Sequence, residues 1–380
     1  MELQLTEEEK LIKETAAQFV DRELIAREGE YLKQRQPFLP PGAPMRRELD
    51  GTVKSDLMGK AREIGLWALN LPDALGGSAV GNVAQVLIHR EFGRSVLPFQ
   101  PLSILAFLFE SKYGQRLVDG ELSLSLAFDE AHKSGTLSHL RTLYRQEPEG
   151  AILQDSRIDV IDPDADLFLF PAREQGTQRL GLFVIERESS GLAIVDQADL
   201  TTDSMVARFS LFQCRVPNEQ LLGYEYEAGA IIASEQLRIA ARSLGIGMRC
   251  LTASLEHARN RVTFGRRLAE RQAIQWMLAD LSMEIRTSTW ITLEAAWRAD
   301  NGLPYFDEAA LAKKRAARMA FQAADTAIQI HGGYGVCKEF PFEGFYRETR
   351  LLRLLYGQEE ELDRAVGEKF MRQQATGNRQ

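Results

Sequence analysis

The residues whose types and spacing could do chemistry begin with a run of glycines near the C-terminal end. An alanine-rich helix is predicted over Glu308–Ile330, and it breaks at Gly332-Gly333, a strong helix stop. Gly335 follows, so the backbone can turn sharply and present N–H groups with no side chain in the way. Gln329, one turn before the break, can donate from its amide to an anion or a ribose. We interpret the run as a cradle for phosphate, with an ordinary helix C-cap as the alternative.

A second group of such residues lies upstream. Arg261, Thr263 and Phe264 stand just before Gly265, which is expected to end a helix, and Gln272 follows. An arginine, a hydroxyl and an aromatic ring within four residues can grip a pyrophosphate and cover a flat ring. The two groups together could bind a phosphate-bearing ligand that carries a flat ring.

The segments that carry these groups, RVTFGRRLAERQAIQWMLADL and QIHGGYGVCKEFPFEGFYRETR, resemble the C-terminal half of the acyl-CoA dehydrogenase family of flavoproteins. The resemblance is strongest over Glu235–Arg364, fair over the N-terminal third and weakest in the middle. It implies an FAD cofactor, an acyl-CoA substrate and an electron-transfer flavoprotein that takes the electrons onward. It also implies a dimer of dimers, either a homotetramer or a heterotetramer with a related chain.

By this resemblance, part of the cofactor lies against a neighbouring subunit. The residues expected to bind it are Arg261, Thr263, Phe264, Gln272, Gln329, Gly332 and Gly333.

The family's reaction needs a base, because oxidising an acyl thioester removes a weakly acidic α-proton while a hydride leaves the β-carbon. The commoner family position for this base falls on Gly357, in the loop LYGQE, and glycine cannot supply it. The other position, as in isovaleryl-CoA dehydrogenases, lies ten residues before a glycine of the first bundle helix. Counting back from Gly245 gives Glu235. We therefore predict that Glu235 is the catalytic base.

Two alternatives to this assignment stay open. Glu235 could be an ordinary solvated helix glutamate, and the next residue, Gln236, departs from the arginine usual in the family. The acidic run Glu359–Glu361 could offer a displaced base from the loop, although such a run more often begins a helix.

The composition limits the class of protein. The chain has 380 residues, 44% of them hydrophobic, which is enough for two or three domains with sizeable cores. Its formal net charge of -8 disfavours a nucleic-acid partner. The three cysteines show no metal-binding or disulfide spacing, so we expect a reducing cytoplasm and no metal site. Neither a membrane-spanning run nor a signal or transit peptide is recognised.

The order of helix-like and strand-like segments along the chain predicts an α+β protein with three domains. Residues 1–118 form an N-terminal all-α domain, residues 119–226 a middle β-barrel or sandwich domain, and residues 227–380 a C-terminal four-helix bundle that binds FAD and forms the oligomer. A capping box at Thr6 begins the first helix. Other predicted helices are Val53–Ile64, Val80–Phe92, Leu102–Lys112, Phe345–Tyr356 and Glu359–Met371. The predicted strands are Leu122–Phe128, Ala151–Leu153, Arg157–Ile161, Leu167–Pro171, Leu180–Glu186, Leu192–Val195 and Val206–Phe212.

The middle domain departs from the family pattern. Its segments AFDEAHKSG and DSRIDVIDPDADLFLFPAR match those that hold the flavin ring, yet the usual residues are missing from both. Three functions remain open: an acyl-CoA dehydrogenase with Glu235 as base, a partner subunit of a heteromeric dehydrogenase, and a flavin-dependent monooxygenase.

Overall fold

The structure, a computed structural model, describes residues 5–34, 49–102, 106–130, 137, 140–154, 156–202 and 204–377. The chain divides into two compact units. The helical unit comprises Met1–Ser103 and Gln236–Arg353, and the sheet unit comprises Ile104–Glu235 and Leu354–Gln380. The three domains predicted from the sequence, with bounds at 118 and 226, stay a prediction.

The helices follow the predicted order. They are α1 (Glu7–Phe19), α2 (Glu28–Gln34), α3 (Gly51–Glu63), α4 (Asn82–Phe92), α5 (Ala106–Phe109), α6 (Gly114–Val118), α7 (Glu225–Asn260), α8 (Gln272–Asp300), α9 (Phe306–His331), α10 (Phe342–Leu352) and α11 (Glu359–Gly377). The capping box at Thr6 is confirmed, because its side chain accepts from the Glu9 amide while the Glu9 carboxylate accepts from the Thr6 amide. Over the helix predicted at Leu102–Lys112, the described residues contain only the short α5.

The strands of the sheet unit form two sheets. They are β1 (Leu124–Leu126), β2 (Asp129–Glu130), β3 (Leu143–Glu147), β4 (Gly150–Gln154), β5 (Ser156–Ile161), β6 (Leu167–Glu174), β7 (Leu180–Glu186), β8 (Leu192–Asp199), β9 (Met205–Leu211), β10 (Cys214–Pro217) and β11 (Leu221–Gly223). The larger sheet has the order β10-β4-β3-β6-β7-β11 with β1 beside β6, and the smaller sheet has the order β2-β5-β9-β8. Pairing is antiparallel except where β6 meets β1 and β3.

The two sheets share one apolar core, so the middle region is a sandwich. Phe168 on β6 and Phe209 on β9 are both buried, with ring centroids 4.7 Å apart. The sequence missed β3, because its LYRQE run offers two apolar residues against two charged ones and gives no clear alternation. It also missed β10 and β11, which are too short for a periodic signal.

A row of alanines lets neighbouring helices approach α9 closely in the helical unit. Ala312, Ala316, Ala320, Ala323 and Ala327 are all fully buried, as the small face predicted. This tight packing fixes the direction in which α9 delivers its C-terminal end, where the glycine run begins.

Two glycines let the backbones of α4 and α7 nearly touch. A Cβ atom on Gly245 would lie 2.1 Å from the Arg90 carbonyl oxygen and 2.6 Å from Cα of Gly93. Arg242, one turn earlier on α7, makes a bidentate ion pair with Glu348 of α10, at 2.7 and 2.9 Å. The crossing and the ion pair fix α7, whose far end leads into the predicted cofactor site.

A carboxylate from α8 caps the N-terminus of α4. Asp300 accepts hydrogen bonds from the backbone amides of Asn82 at 2.6 Å and Val83 at 2.9 Å. The N-cap residue of α4 is Gly81, which has no side chain to do this itself. Among the described residues, no helix is both long enough and apolar enough to span a membrane.

Candidate functional site

The predicted RVTFG group forms a tight hairpin after α7. Strand β12 (Val262–Thr263) pairs with β13 (Arg266–Arg267) across a turn made by Phe264 and Gly265. Both turn residues have positive φ, 49° and 72°, as a two-residue type I′ turn requires. The expectation that Gly265 ends the helix is wrong, because α7 already ends at Asn260 and the glycine serves the hairpin turn instead.

The hairpin presents Phe264 to the outside. The side chain is 98% exposed, although an aromatic residue seldom adopts a left-handed backbone conformation. An apolar ring exposed in this way is available to a ligand or a partner, and its role in covering a flat ring stays a prediction.

An arginine that the sequence analysis did not single out braces the hairpin. Nη2 of Arg271 donates to the carbonyl oxygen of Thr263 at 2.6 Å and to its hydroxyl at 3.3 Å. Its guanidinium also lies 5.9 Å from the centre of the Phe264 ring. Since Arg271 directly precedes Gln272, the first residue of α8, these contacts bring Thr263 and Gln272 into one neighbourhood.

The glycine run breaks α9 as predicted, and its three glycines differ in their surroundings. Gly332 ends the helix with φ 62° and ψ −136°, and its amide donates to the carbonyl oxygens of Gln329 and Ile328. A Cβ atom on Gly332 or Gly333 would meet nothing within 4 Å, so this stretch of backbone is open. A Cβ atom on Gly335 would lie 2.5 Å from the carbonyl oxygen of Ile328, so this glycine serves packing.

Two histidines join the hairpin to the glycine run. The rings of His257, in the last turn of α7, and His331, the last residue of α9, have centroids 4.4 Å apart. The carbonyl oxygen of His257 accepts from the amide of Arg261 at 2.8 Å, while Gly332 directly follows His331. The structure therefore brings the two predicted halves of the site together.

The surroundings of both histidines favour the neutral form of the ring. Burial lowers the pKa of His331, against the opposing effect of its hydrogen bond to the Ala327 carbonyl oxygen. Burial also lowers the pKa of His257, with further lowering by the neighbouring His331 and by the Arg261 guanidinium.

The predicted cofactor residues, together with two neighbouring arginines, offer an accessible, positively charged surface. Arg261, Phe264, Gln272, Gln329, Gly332 and Gly333 are exposed, and Thr263 is half-buried. In the described part of the chain, Arg261, Arg266 and Arg267 form no ion pair, so their charge is available to an anion. Such a surface can bind a phosphate or pyrophosphate.

The backbone at the loop position for a base favours glycine. Gly357 has φ 113°, and a Cβ atom there would lie 2.6 Å from Cδ2 of Leu362. Any residue other than glycine would be strained at this φ, and the Leu362 side chain would have to shift to admit it. The loop conformation therefore disfavours a carboxylate at residue 357.

The two other predicted acidic positions differ in their surroundings. Glu235 is a half-buried residue of α7, within the sheet unit. The run Glu359–Glu361 forms the first turn of α11, and Glu361 is paired with Arg364 at 3.0 Å. This is the arrangement that the interaction of carboxylates with a helix N-terminus favours.

The two middle segments that by resemblance would hold the flavin ring lie partly outside the described residues. In AFDEAHKSG, residues 131–135 lie outside the described residues. In DSRIDVIDPDADLFLFPAR, residue 155 also lies outside them, and the rest forms β5, a turn and β6. Phe168 and Phe170 of β6 are fully buried in the sandwich core. Among the described residues, no group of three or more His, Cys, Asp or Glu side chains could hold a metal ion.

Comparison with known proteins gives concordant matches. Residues 6–108 match the profile of the acyl-CoA dehydrogenase N-terminal domain, and residues 223–371 match that of the C-terminal domain. The chain is 27% identical to the (R)-benzylsuccinyl-CoA dehydrogenase of Thauera aromatica, across 98% of this chain and 97% of that one. It is 24% identical to the caffeyl-CoA reductase-Etf complex subunit CarC of Acetobacterium woodii, across 93% and 95% of the two chains.

The fold is also found among solved structures. Butyryl-CoA dehydrogenase from Megasphaera elsdenii superimposes with a TM-score of 0.80 at 20% identity, over 98% of this chain and 100% of that one. At this identity the match concerns the fold alone.

Proposed function

Because the chain belongs to the acyl-CoA dehydrogenase family of FAD-dependent oxidoreductases acting on CH–CH bonds, we propose that it oxidises an acyl-CoA thioester to the 2,3-enoyl-CoA. We further propose that the electrons pass to an electron-transfer flavoprotein. The observation that carries the proposal is the backbone at Gly357, whose φ of 113° favours glycine, combined with a half-buried carboxylate at the alternative position, Glu235.

The residues at the hairpin and the glycine run fit FAD. Arg261 supplies a charge without an internal ion pair, and Gly332 and Gly333 supply backbone that no side chain obstructs. Arg261 and the glycine backbone would hold the pyrophosphate, Gln272 and Gln329 would donate to polar groups, and Phe264 would cover an apolar face of the cofactor, in part across a subunit boundary. FAD, when bound, supplies the acceptor for the hydride that leaves the β-carbon.

Glu235 has the role of base in this proposal. A carboxylate oxygen of Glu235 takes the proton from the α-carbon of the thioester. Its half-buried setting limits the water that would otherwise compete for the carboxylate. The acids of α11 are the less favoured position for the base, because they lie in the first turn of a helix and Glu361 is paired with Arg364.

The exposed face of α8 supports an oligomer. Trp276, Met283 and Trp290 follow one another at intervals of seven, so they share one helix face, and they are 60%, 59% and 56% exposed. Large apolar side chains aligned in this way are typical of a helix that packs against another subunit. We propose that this face contributes to a tetramer, of this chain alone or with a related chain.

A second candidate function is that of a partner subunit in a heteromeric dehydrogenase. It is favoured by one observation. In the segment that by resemblance would hold the flavin ring, the residues of β6 from Leu167 to Ala172 are all apolar and buried, so their side chains offer no hydrogen bond to a flavin. Such a chain would need a related chain to complete the flavin site.

The visible spectrum of the purified chain, recorded without oxygen during addition of a panel of acyl-CoA thioesters, tests the proposal. We expect a yellow protein that one of the thioesters bleaches, and that thioester would name the substrate class. Bleaching that requires a co-expressed related chain would favour the partner-subunit function. A chain purified without flavin and inactive on every thioester would contradict the proposed function.

A further inference from the structure

We propose that His257, His331 and Phe342 form an aromatic stack that positions the two halves of the cofactor site against each other. The inference rests on the proposed function, because it concerns how the residues expected to bind FAD are held. The three residues act through others, so they are positioning residues rather than cofactor ligands.

The stack joins three helix ends. His331 lies in the middle, with its ring centroid 4.4 Å from that of His257 and 4.3 Å from that of Phe342. The planes are inclined by 31° and 38°, so each pair is a tilted, close contact. His257 belongs to the end of α7, His331 ends α9 and Phe342 begins α10.

A hydrogen bond fixes the central ring. Nδ1 of His331 donates to the carbonyl oxygen of Ala327 at 2.8 Å, one turn earlier on α9. The residue is only 8% exposed, and Ala327 belongs to the fully buried face of the same helix. The central ring is therefore anchored to the buried face of α9, and the other two rings pack against it.

The positions of the stacked residues connect them to the predicted cofactor residues. The His257 carbonyl oxygen accepts from the Arg261 amide, so the ring and the first residue of the hairpin belong to one helix end. His331 is bonded to Gly332, whose amide is held by Gln329 and Ile328. A shift between the two histidine rings would change the distance between Arg261 and the open glycine backbone.

Burial in the stack also favours the neutral form of both histidine rings. A neutral imidazole ring stacks without bringing a charge into an apolar contact, and the lowered pKa of each histidine favours this form. An aromatic residue at position 331 could therefore replace the imidazole in stacking, although it could not donate to Ala327.

Serial dilution of the purified holoenzyme, with the fluorescence of released flavin as the readout, tests this inference. His331→Ala removes the central ring and is expected to raise the dissociation constant of FAD about tenfold, as the loss of one or two aromatic pairs implies. His331→Phe keeps the stack and is expected to stay within about threefold of wild type. The rescue by phenylalanine separates stacking from the hydrogen bond.

The matched control is Phe19→Leu, which disrupts another aromatic pair of the helical unit, that of Phe19 and Phe92 at 5.6 Å. This variant is expected to lower the melting temperature while leaving the dissociation constant of FAD unchanged. If His331→Ala does not fold, His257→Ala, at a half-buried ring, gives the same test.

Equal FAD affinity in wild type and in the alanine variants would overturn the inference and leave the proposed function intact. A wild-type chain that holds no FAD would overturn the proposed function and the inference together.

Discussion

A Cβ atom on Gly357 would lie 2.6 Å from Cδ2 of Leu362, and the backbone of Gly357 has φ 113°. Both features favour glycine at the position, because a side chain there would be strained and would require the Leu362 side chain to shift. This agrees with the proposal that the base lies elsewhere, at Glu235.

Gly357→Glu is expected to lower stability by about 1–3 kcal/mol and to give no activity when combined with Glu235→Gln. The strain and the contact with Leu362 would push the new carboxylate out of the loop's present shape. Thermal unfolding and turnover of the double variant measure the two effects. Gly367→Glu is the control, because Gly367 of α11 has ordinary φ and open space around its Cβ position. A double variant that recovers turnover would refute this account of the loop.

Arg261→Ala is expected to weaken FAD binding about 10- to 100-fold, since a charge-assisted hydrogen bond contributes about 1.5–3 kcal/mol. The flavin-to-protein ratio after extensive dialysis measures the loss. Arg318→Ala, which removes an exposed arginine of α9, serves as the control. Unchanged flavin content in the Arg261 variant would remove this residue from the proposed site.

Asp300→Ala is expected to lower the free energy of unfolding by about 1–2 kcal/mol, the usual cost of losing a helix cap. The substitution leaves the amides of Asn82 and Val83 without the carboxylate that accepts from them. Urea denaturation measures the effect, and Asp325→Ala, at an exposed position of α9, is the control. Equal midpoints for the two variants would show that water replaces the cap at no cost.

His89 makes stability depend on pH in the acid range. Burial lowers its pKa to about 3 in the folded chain, with the charge of Arg238 as a smaller cause. The unfolded chain, with a histidine pKa of about 6.5, therefore takes up the proton first as the pH falls. The stabilisation is complete above pH 6.5 and is lost progressively toward about pH 3.

His89→Gln is therefore expected to flatten the dependence of the unfolding free energy on pH between about 6 and 4, by up to about 1.4 kcal/mol per pH unit. Chemical denaturation at a series of pH values measures the slope. The curve will not become flat, because burial also lowers the pKa of His257 and His331. Identical slopes in wild type and variant would contradict a neutral, buried His89.

Local signals in the sequence predicted much of the fold. The stop at Gly332, the alanine face of α9 and the capping box at Thr6 depend on residues a few positions apart, so a pattern reveals them. The runs rich in Val and Phe correctly predicted most strands of the sandwich. The polar strand β3 was missed, because its place in the sheet comes from pairing with β4 and β6 rather than from its own alternation.

Local sequence signals did not predict how the residues of the candidate site are brought together. The sequence singled out Arg261 and Gly332, but it did not show that His257 and His331 bring them together. It also overlooked Arg271, whose bonds to Thr263 depend on the hairpin closing back toward α8. These contacts join residues from different elements, and neither periodicity nor composition carries information about them.

The measurement that tests the central claim most directly is the rate of flavin reduction by an acyl-CoA in Glu235→Gln, followed by anaerobic stopped-flow absorbance. Glu256→Gln, at an exposed position on the same helix, is the matched control. If Glu235 is the base, its variant keeps bound FAD and still binds the thioester, but reduces flavin at least about a thousandfold more slowly. The control reduces flavin at the wild-type rate. Reduction in Glu235→Gln within about threefold of wild type would contradict the assignment of Glu235 as the base.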